Sequence, residues 1–260
     1  MPTLVFFTEK IILLIYFGLY ILGLLDDKYS ISVNKRFVFS FILVLVSLIF
    51  FQELRISHIY FFDHRYNLNI FISICFSLLM IMGLFHVINM SDGRNCLATI
   101  YCINIITFII FKNSQLNISN VDESLLLISF ILIFILNYFS KSFFGNSGIL
   151  IIAFLISYLL INEFNANKLS IENIYFLLYL PFLDGLRVTF TRVLNKKSPF
   201  LSDKNHLHHF PKNWNLSLLI LTFLFILNFA IQYITNLNFY LLISYSLISY
   251  LFVFNIFKRI

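Results

Sequence analysis

The feature that most constrains this chain is the recurrence of apolar runs along its whole length. Nine can be marked, over residues 4–25, 37–51, 69–89, 96–111, 124–139, 148–161, 172–183, 216–233 and 239–257. A helix needs about 20 residues to cross the hydrocarbon core of a bilayer. Backbone in lipid must satisfy its own hydrogen bonds, so repeated runs of this kind fold as a bundle of transmembrane helices. Composition agrees: 60% of residues are hydrophobic and 12% charged, against about a quarter charged in soluble domains. The mean hydropathy is +0.91. The expected fold class is all-α, a polytopic integral membrane protein with nine transmembrane helices in a single domain over 1–260. The first run carries Glu9 and Lys10 and continues into Asp26 and Asp27, so it reads as a span and not as a cleaved signal peptide. The seventh is the weakest: Asn173 opens it and Pro181 is expected to end it. Cys75, Cys96 and Cys102 show no C-x-x-C pairing and are expected to be buried, reduced thiols.

Charge orients the set. With the C-terminal "FKRI" placed in the cytoplasm, alternation leaves all but five of the 18 Lys and Arg inside, as the positive-inside rule requires. The five are Lys10, Arg55, Arg65, Lys112 and Lys168. The acids divide in the same way. Glu9, Glu53, Asp63, Asp122, Glu123, Glu163 and Glu172 fall on the outer side, whereas Asp26, Asp27, Asp92, Asp184 and Asp203 fall on the inner side. Each inner acid stands at or just past the end of an apolar run, in a compact polar motif. Topology thus collects "LLDDKYS", "INMSDGRN", "FFGNSG" and the segment 184–212, "DGLRVTFTRVLNKKSPFLSDKNHLHHFPK", on one face. His58 and His64 lie in an outer loop and are expected to be solvent-exposed or interfacial.

Taken singly, the motifs differ in force. Asp26 and Asp27 are adjacent carboxylates that repel unless water or a cation reaches them, and Mg²⁺ suits such a place because it takes one or two carboxylates plus phosphate oxygens. A helix simply ending in water accounts for the pair equally well. Asn89, Asp92 and Asn95 recur at intervals of three residues around Gly93, a spacing that lets oxygen ligands converge; a helix-stop loop is the rival. Gly145 and Gly148 flank Asn146 and Ser147, where backbone N–H groups could approach an anion. In 184–212, Arg187, Arg192 and four lysines surround His206, His208 and His209. Basic loops beside a bilayer attract anionic lipid head groups, which explains the cations but not the histidines. H-x-H-H lacks a second ligand pair at zinc spacing, whereas imidazoles among cations suit phosphate oxygens. Nothing points to nucleic acid.

In this order the motifs resemble those of the polyprenyl-phosphate N-acetylhexosamine-1-phosphate transferases, the MraY/WecA-like membrane family. The chain shows a DD pair, N-x-x-D-G as "NMSDG", G-[DN]-x-G as "GNSG", and P-x-x-D…D-x-x-H-x-H-H from Pro181 to His209. The likeness spans about residues 20 to 212, and the H-x-H-H form is similar to the WecA-type branch. The resemblance implies transfer of a sugar 1-phosphate from a UDP-N-acetylhexosamine to undecaprenyl phosphate, with release of UMP and a need for Mg²⁺, at the inner face of a bacterial cytoplasmic membrane. It implies that Asp26, Asp27 and Asp92 are catalytic, with Asp27 a candidate base. Asn89, Asp92 and Asn146 would serve the metal, and Asn95, Arg192, Asp203, His206, His208 and His209 the substrates. The branch points to cell-surface polysaccharide, O-antigen-like, and leaves open whether two copies pair as a homodimer.

The chain departs from the pattern in four places. Asn146 stands where many members have Asp, which lowers the negative charge expected around a metal. His86 replaces an asparagine common one turn before Asn89. Asn95 and Cys96 stand where D-G or N-G is usual. Two helices and a P-x-x-G-G loop that family members carry before the DD pair do not precede Asp26 here. These departures motivate the alternative of a catalytically impaired relative that binds lipid or partners in glycan assembly. A transporter fits poorly, because the runs hold almost no charge and show no inverted repeat.

Overall fold

The computed structural model describes residues 2–61, 64–92, 94–197, 205–234 and 239–260. Among these are nine α-helices: α1 (Pro2–Tyr29), α2 (Val33–Phe50), α3 (Ile70–Ser91), α4 (Leu97–Gln115), α5 (Val121–Tyr138), α6 (Gly145–Asn165), α7 (Ile171–Leu194), α8 (Trp214–Ile234) and α9 (Phe239–Phe257). Each coincides with one of the nine apolar runs. Helices α2 to α9 are long and apolar enough to cross a membrane, and α1 has 28 residues. The chain is an all-α, multi-pass membrane protein.

One helix end differs from the sequence expectation. Pro181 does not end α7; it lies buried inside a helix that continues to Leu194. Proline removes one donor, and in a membrane helix packed neighbours and small local adjustments compensate for it. Asp184, Arg187 and Arg192 therefore project from the last turns of α7. At the other end, Ser170 and Asn173 form a capping box, Ser170 Oγ accepting from Asn173 N–H at 3.3 Å and Asn173 Oδ1 accepting from Ser170 N–H at 3.0 Å. The polar residue that opens the seventh run is thus a helix-start signal.

The chain divides into two compact units. The first comprises Met1–Asp92 and Phe143–Leu169. In it α6 packs on α1 and α3, and α2 completes the group. Ala153, Ile156 and Leu160 give α6 a buried stripe at helical spacing. Helices α1 and α6 approach so closely at Gly23 that a Cβ there would stand 2.2 Å from Ser147 Cα. Only glycine permits that contact, and small residues at such crossings are how membrane helices gain packing. The same unit holds a hairpin, β1 (His58–Phe61) with β2 (His64–Asn67), paired antiparallel with His58 opposite Asn67.

The second unit comprises Gly93–Ser142 and Ser170–Ile260. In it α4 packs on α5 and α8, and α7 packs on α9. Helix α4 is largely buried, whereas α5 exposes Leu125, Ile128, Leu132 and Leu136 as a face suited to lipid.

Two further expectations are corrected. His58 is fully buried. Its ring stacks on Phe164 at 5.2 Å and its nitrogens meet Ser57 Oγ at 2.8 Å and Asn167 Oδ1 at 2.9 Å. A histidine with an apolar face covered and both nitrogens partnered is stable inside, which loop position alone does not reveal. His64 is exposed as expected. Cys96 and Cys102 are buried, but Cys75 is exposed on α3, where a thiol serves as a small apolar surface group.

Candidate active site

The candidate residues fall into two groups, one in each unit. In the first unit, the C-terminal end of α1, the start of α2, the end of α3 and the start of α6 supply the side chains. Asp26 is 4% exposed and accepts a hydrogen bond from Arg36 Nη1 at 2.5 Å. The same Nη1 donates to Asn146 Oδ1 at 2.8 Å. One guanidinium nitrogen thus joins the first aspartate of the pair to the asparagine of the "GNSG" turn. Arg36 was not singled out in the sequence; at the start of an apolar run it reads as ordinary positive-inside charge.

Asp27 faces the opposite way, to the surface. Its Oδ1 accepts from the backbone N–H of Asn146 at 2.9 Å, and its Oδ2 accepts from Ser147 N–H at 3.2 Å and Ser147 Oγ at 3.0 Å. The first turn of α6 has unpaired N–H groups and a positive dipole end, and a carboxylate borrowed from α1 satisfies both. Gly145 makes this approach feasible: its φ is +63°, and a Cβ there would lie 3.0 Å from Asp27 Oδ2. The glycines around Asn146 do let backbone amides meet an anion, and within the chain that anion is Asp27.

Asp92 caps the C-terminus of α3 with a helical backbone, its N–H donating to Ile88 O at 3.2 Å. Burial, and next the negative charge of Asp27, push its carboxyl up to about 6. Among the described residues it has no ion pair. Asn89 sits one turn back on the same helix. A half-buried carboxylate that feels another carboxylate and lacks a cation is a hard-oxygen donor of the type Mg²⁺ takes. Asn89, Asp92 and the exposed Asp27 therefore fit a divalent cation by donor type. Asn146 Oδ1 is engaged by Arg36 and keeps one lone pair.

The second group surrounds the end of α7 and the short 3₁₀ turn Leu207–His209. Asp184, buried, accepts four hydrogen bonds: from Arg187 Nη2 at 2.8 Å, Tyr250 Oη at 3.1 Å, His206 Nδ1 at 3.0 Å and Leu207 N–H at 3.1 Å. Arg187 also donates to Tyr250 Oη at 2.8 Å and to Asn205 O, and its guanidinium lies 4.8 Å from the Phe254 ring centre. Arg192 Nη2 is 3.4 Å from His206 Nε2, both side chains buried. The rings of His206 and His208 lie parallel at 5.8 Å, and His209 follows at 4.2 Å from His208. Burial, then the neighbouring His209 and His206, push His208 down to about 3, so it is neutral at physiological pH.

Asn95 belongs to this second group. Its Nδ2 donates to Ser140 Oγ at 2.9 Å and its carbonyl accepts from Trp214 Nε1 at 2.8 Å, while Arg94 lies over the Trp214 ring and donates to Pro211 O at 3.2 Å. Asp203 lies outside the described residues. The structure thus brings Asp26, Asp27, Asn146, Asn89 and Asp92 to one group, and Asn95, Arg192, His206, His208 and His209 to the other. It adds Arg36 and Ser147 to the first, and Asp184, Arg187 and Tyr250 to the second. Asp184 was visible in the P-x-x-D motif and Arg187 in the basic segment; Tyr250, inside an apolar run, carried no signal.

Residues 10–163 match the model of Glycosyl transferase family 4, a stretch that includes the DD pair, Asn89, Asp92 and the turn at Asn146 and stops short of the histidines. A protein of Bacillus subtilis (strain 168), named "Probable undecaprenyl-phosphate N-acetylglucosaminyl 1-phosphate transferase", is 28% identical over 198 residues, which are 74% of this chain and 55% of that protein. The chain spans about half the length of that relative. With more than half of its own length and its whole first group of site residues inside one family model, the chain belongs to glycosyl transferase family 4.

Proposed function

We propose that this protein transfers a sugar 1-phosphate from a UDP-N-acetylhexosamine to undecaprenyl phosphate at the cytoplasmic face of a bacterial inner membrane, and that the product initiates a cell-surface polysaccharide of the O-antigen type. Family membership and the activity named for the Bacillus subtilis relative support the reaction class. The observation that carries the reading is geometric: Asp27, exposed, has both carboxylate oxygens fixed by the Asn146 and Ser147 donors at the start of α6, and Asp92 ends α3 half-buried, with no ion pair among the described residues and within the family match. In the reaction an oxygen of the lipid phosphate attacks the β-phosphorus of the donor, the bond from that phosphorus to the bridging oxygen breaks, and UMP leaves with the bond electrons.

Such transfer needs in-line positioning and neutralisation of charge more than covalent help. Asp92 and Asn89, with the remaining lone pair of Asn146 Oδ1, would hold Mg²⁺, which when bound would neutralise the donor's diphosphate. Asp27, surface-facing and anchored on α6, is the candidate base toward a monoprotonated lipid phosphate; burial works against it, but the Asn146 and Ser147 donors hold its carboxyl below the usual carboxylate range. The H-x-H-H segment with Arg192 supplies the phosphoryl-binding group, Asn95 is assigned to the substrates with it, and apolar helix faces would accommodate the polyprenyl chain.

The test is UMP release by the purified protein given undecaprenyl phosphate and a panel of UDP-N-acetyl sugars, with and without Mg²⁺. Release that needs the lipid, the metal and one donor supports the proposal. One observation favours a second reading, a non-catalytic lipid-binding relative: Asp26, Asn146 and Asp27 all have partners inside the chain. That reading expects lipid binding with no UMP from any donor.

A further inference from the structure

The H-x-H-H motif brings three imidazoles together, and the structure does not treat them alike. His206 has both nitrogens engaged inside the chain. Nδ1 lies 3.0 Å from Asp184 Oδ2, and Nε2 lies 3.4 Å from Arg192 Nη2. Asp184, held by Arg187, Tyr250 and the Leu207 amide as well, acts as an acceptor. A carboxylate acceptor assigns the proton to His206 Nδ1, and Nε2 is left as the acceptor facing the guanidinium. The same Leu207 amide bond fixes the backbone one residue on, so Asp184 holds the start of the motif at two points.

His208 is as deeply buried as His206, each 6% exposed, but its Nε2 has no hydrogen-bond partner among the described residues. An unsatisfied buried nitrogen bears a desolvation penalty that a native fold rarely leaves unanswered. Asp184 and, more weakly, Arg94 both act on the ring, and the ring itself is neutral, so in the Nε2–H tautomer it can donate one hydrogen bond to an incoming acceptor without adding charge.

We infer that the motif divides its work: His206 is a positioning residue clamped by Asp184, and His208 presents Nε2 as the ligand-facing atom, donating to a phosphoryl oxygen of a substrate. The inference rests on the proposed transferase reading for the identity of that substrate and on the structure alone for which histidine faces it.

Amide surrogates separate the two roles. Asparagine places a donor where histidine has Nδ1, and glutamine places one where it has Nε2. At position 206, His206→Asn keeps the bond to Asp184 and is expected to stay within about tenfold of wild-type turnover. His206→Gln is expected to lose about a hundredfold. At position 208 the order reverses: His208→Gln is tolerated and His208→Asn is not, with the loss in KM. A raised KM for the UDP-sugar alone assigns the donor diphosphate, and a raised KM for undecaprenyl phosphate alone assigns the lipid phosphate. Thermal stabilisation by inorganic pyrophosphate reads the same pattern without turnover, lost in His208→Asn and kept in His208→Gln. Wild-type protein that is stabilised by pyrophosphate yet releases no UMP fails the proposed function and leaves this inference standing. Equal behaviour of His208→Asn and His208→Gln, a tolerated His206→Gln, or a wild type that pyrophosphate does not stabilise overturns it.

Discussion

Asp27 carries two loads at once, as the in-trans cap of α6 and as the exposed carboxylate beside Asp92, and substitution separates them. Asp27→Asn keeps the shape but removes the charge from the helix dipole and one of the two oxygens that accept from Asn146 and Ser147, which together cost about 1–2 kcal/mol. If Asp27 also handles a proton, UMP release falls by about a hundredfold or more; a small loss of thermal stability with turnover unchanged would make it a cap only. Arg36→Met leaves Asp26 without its partner. Losing one partner of a fully buried pair costs about 3–5 kcal/mol. Arg36 is 20% exposed, so water offsets part of the loss, and about 1–3 kcal/mol is expected by thermal unfolding. A double-mutant cycle with Asp26→Asn should recover most of it, and additivity of the two changes would rule the pair out as a stabilising contact.

His208 carries a pH signature of its own. Its folded value is about 3 against an ordinary value of about 6.5 in an unfolded chain. Below pH 6.5 the unfolded state therefore binds a proton that the folded state refuses, and stability falls as pH drops toward 3 by up to about 1.4 kcal/mol per unit. Asp92 works in the opposite direction, since its raised carboxyl favours the folded state as pH falls through 6. The comparison must therefore be made against His208→Gln: wild type should lose stability relative to that variant between pH 7.5 and 5.5. A constant difference would mean that the ring titrates normally.

At the scale of elements, the crossing of α1 and α6 sets the first group. Gly23→Ala would press a methyl group onto the Ser147 backbone and force the helices apart, at about 1–3 kcal/mol, and Asp27 would lose its grip on the Asn146 and Ser147 amides. Gly83→Ala on α3, where a Cβ meets nothing within 4 Å, is the matched control. Alanine there should be neutral or stabilising by about 0.5–1 kcal/mol. If both variants melt together, the close approach is not what holds the pair. The helices themselves were legible because lipid enforces long apolar runs, and all nine stood out. What was not legible was what depends on partners distant in sequence. Pro181 was read as a stop because its missing donor is a local fact, while the neighbours that tolerate it are not. His58 was placed outside because nothing local announces Phe164 and Asn167. The role of Asp184 as the anchor of the histidines arises only when α7, α9 and the 3₁₀ turn meet.

At the scale of the whole molecule, the motifs legible in the sequence fall into two groups, each built around charge-assisted hydrogen bonds: Asp26 and Asp27 with Arg36 and the start of α6 in one unit, and Asp184 with Arg187 and His206 in the other. The carboxylates lie in the unit with α1 and α6, and the imidazoles in the unit with α7 and α9; the family match covers the carboxylates and stops before the imidazoles. This division accounts for why separate short motifs, weak one by one, point to one chemistry: an anionic donor and an anionic acceptor need both carboxylate-held cations and positive or hydrogen-bonding side chains. If the first group binds Mg²⁺ through Asp92, adding the ion should raise the melting temperature of the wild type, and Asp92→Asn should abolish that shift without unfolding the protein. An equal shift in the variant would place the ion elsewhere.

The most direct measurement follows the label from UDP-N-acetylglucosamine carrying a radioactive β-phosphate, and from the corresponding galactosamine donor, into organic-extractable lipid in the presence of undecaprenyl phosphate and Mg²⁺. The account predicts that the β-phosphate moves into the lipid with the sugar, that unlabelled UMP remains in the aqueous phase, and that Asp92→Asn stops the transfer. Label that stays aqueous with every donor, from protein that still melts cooperatively, would contradict it.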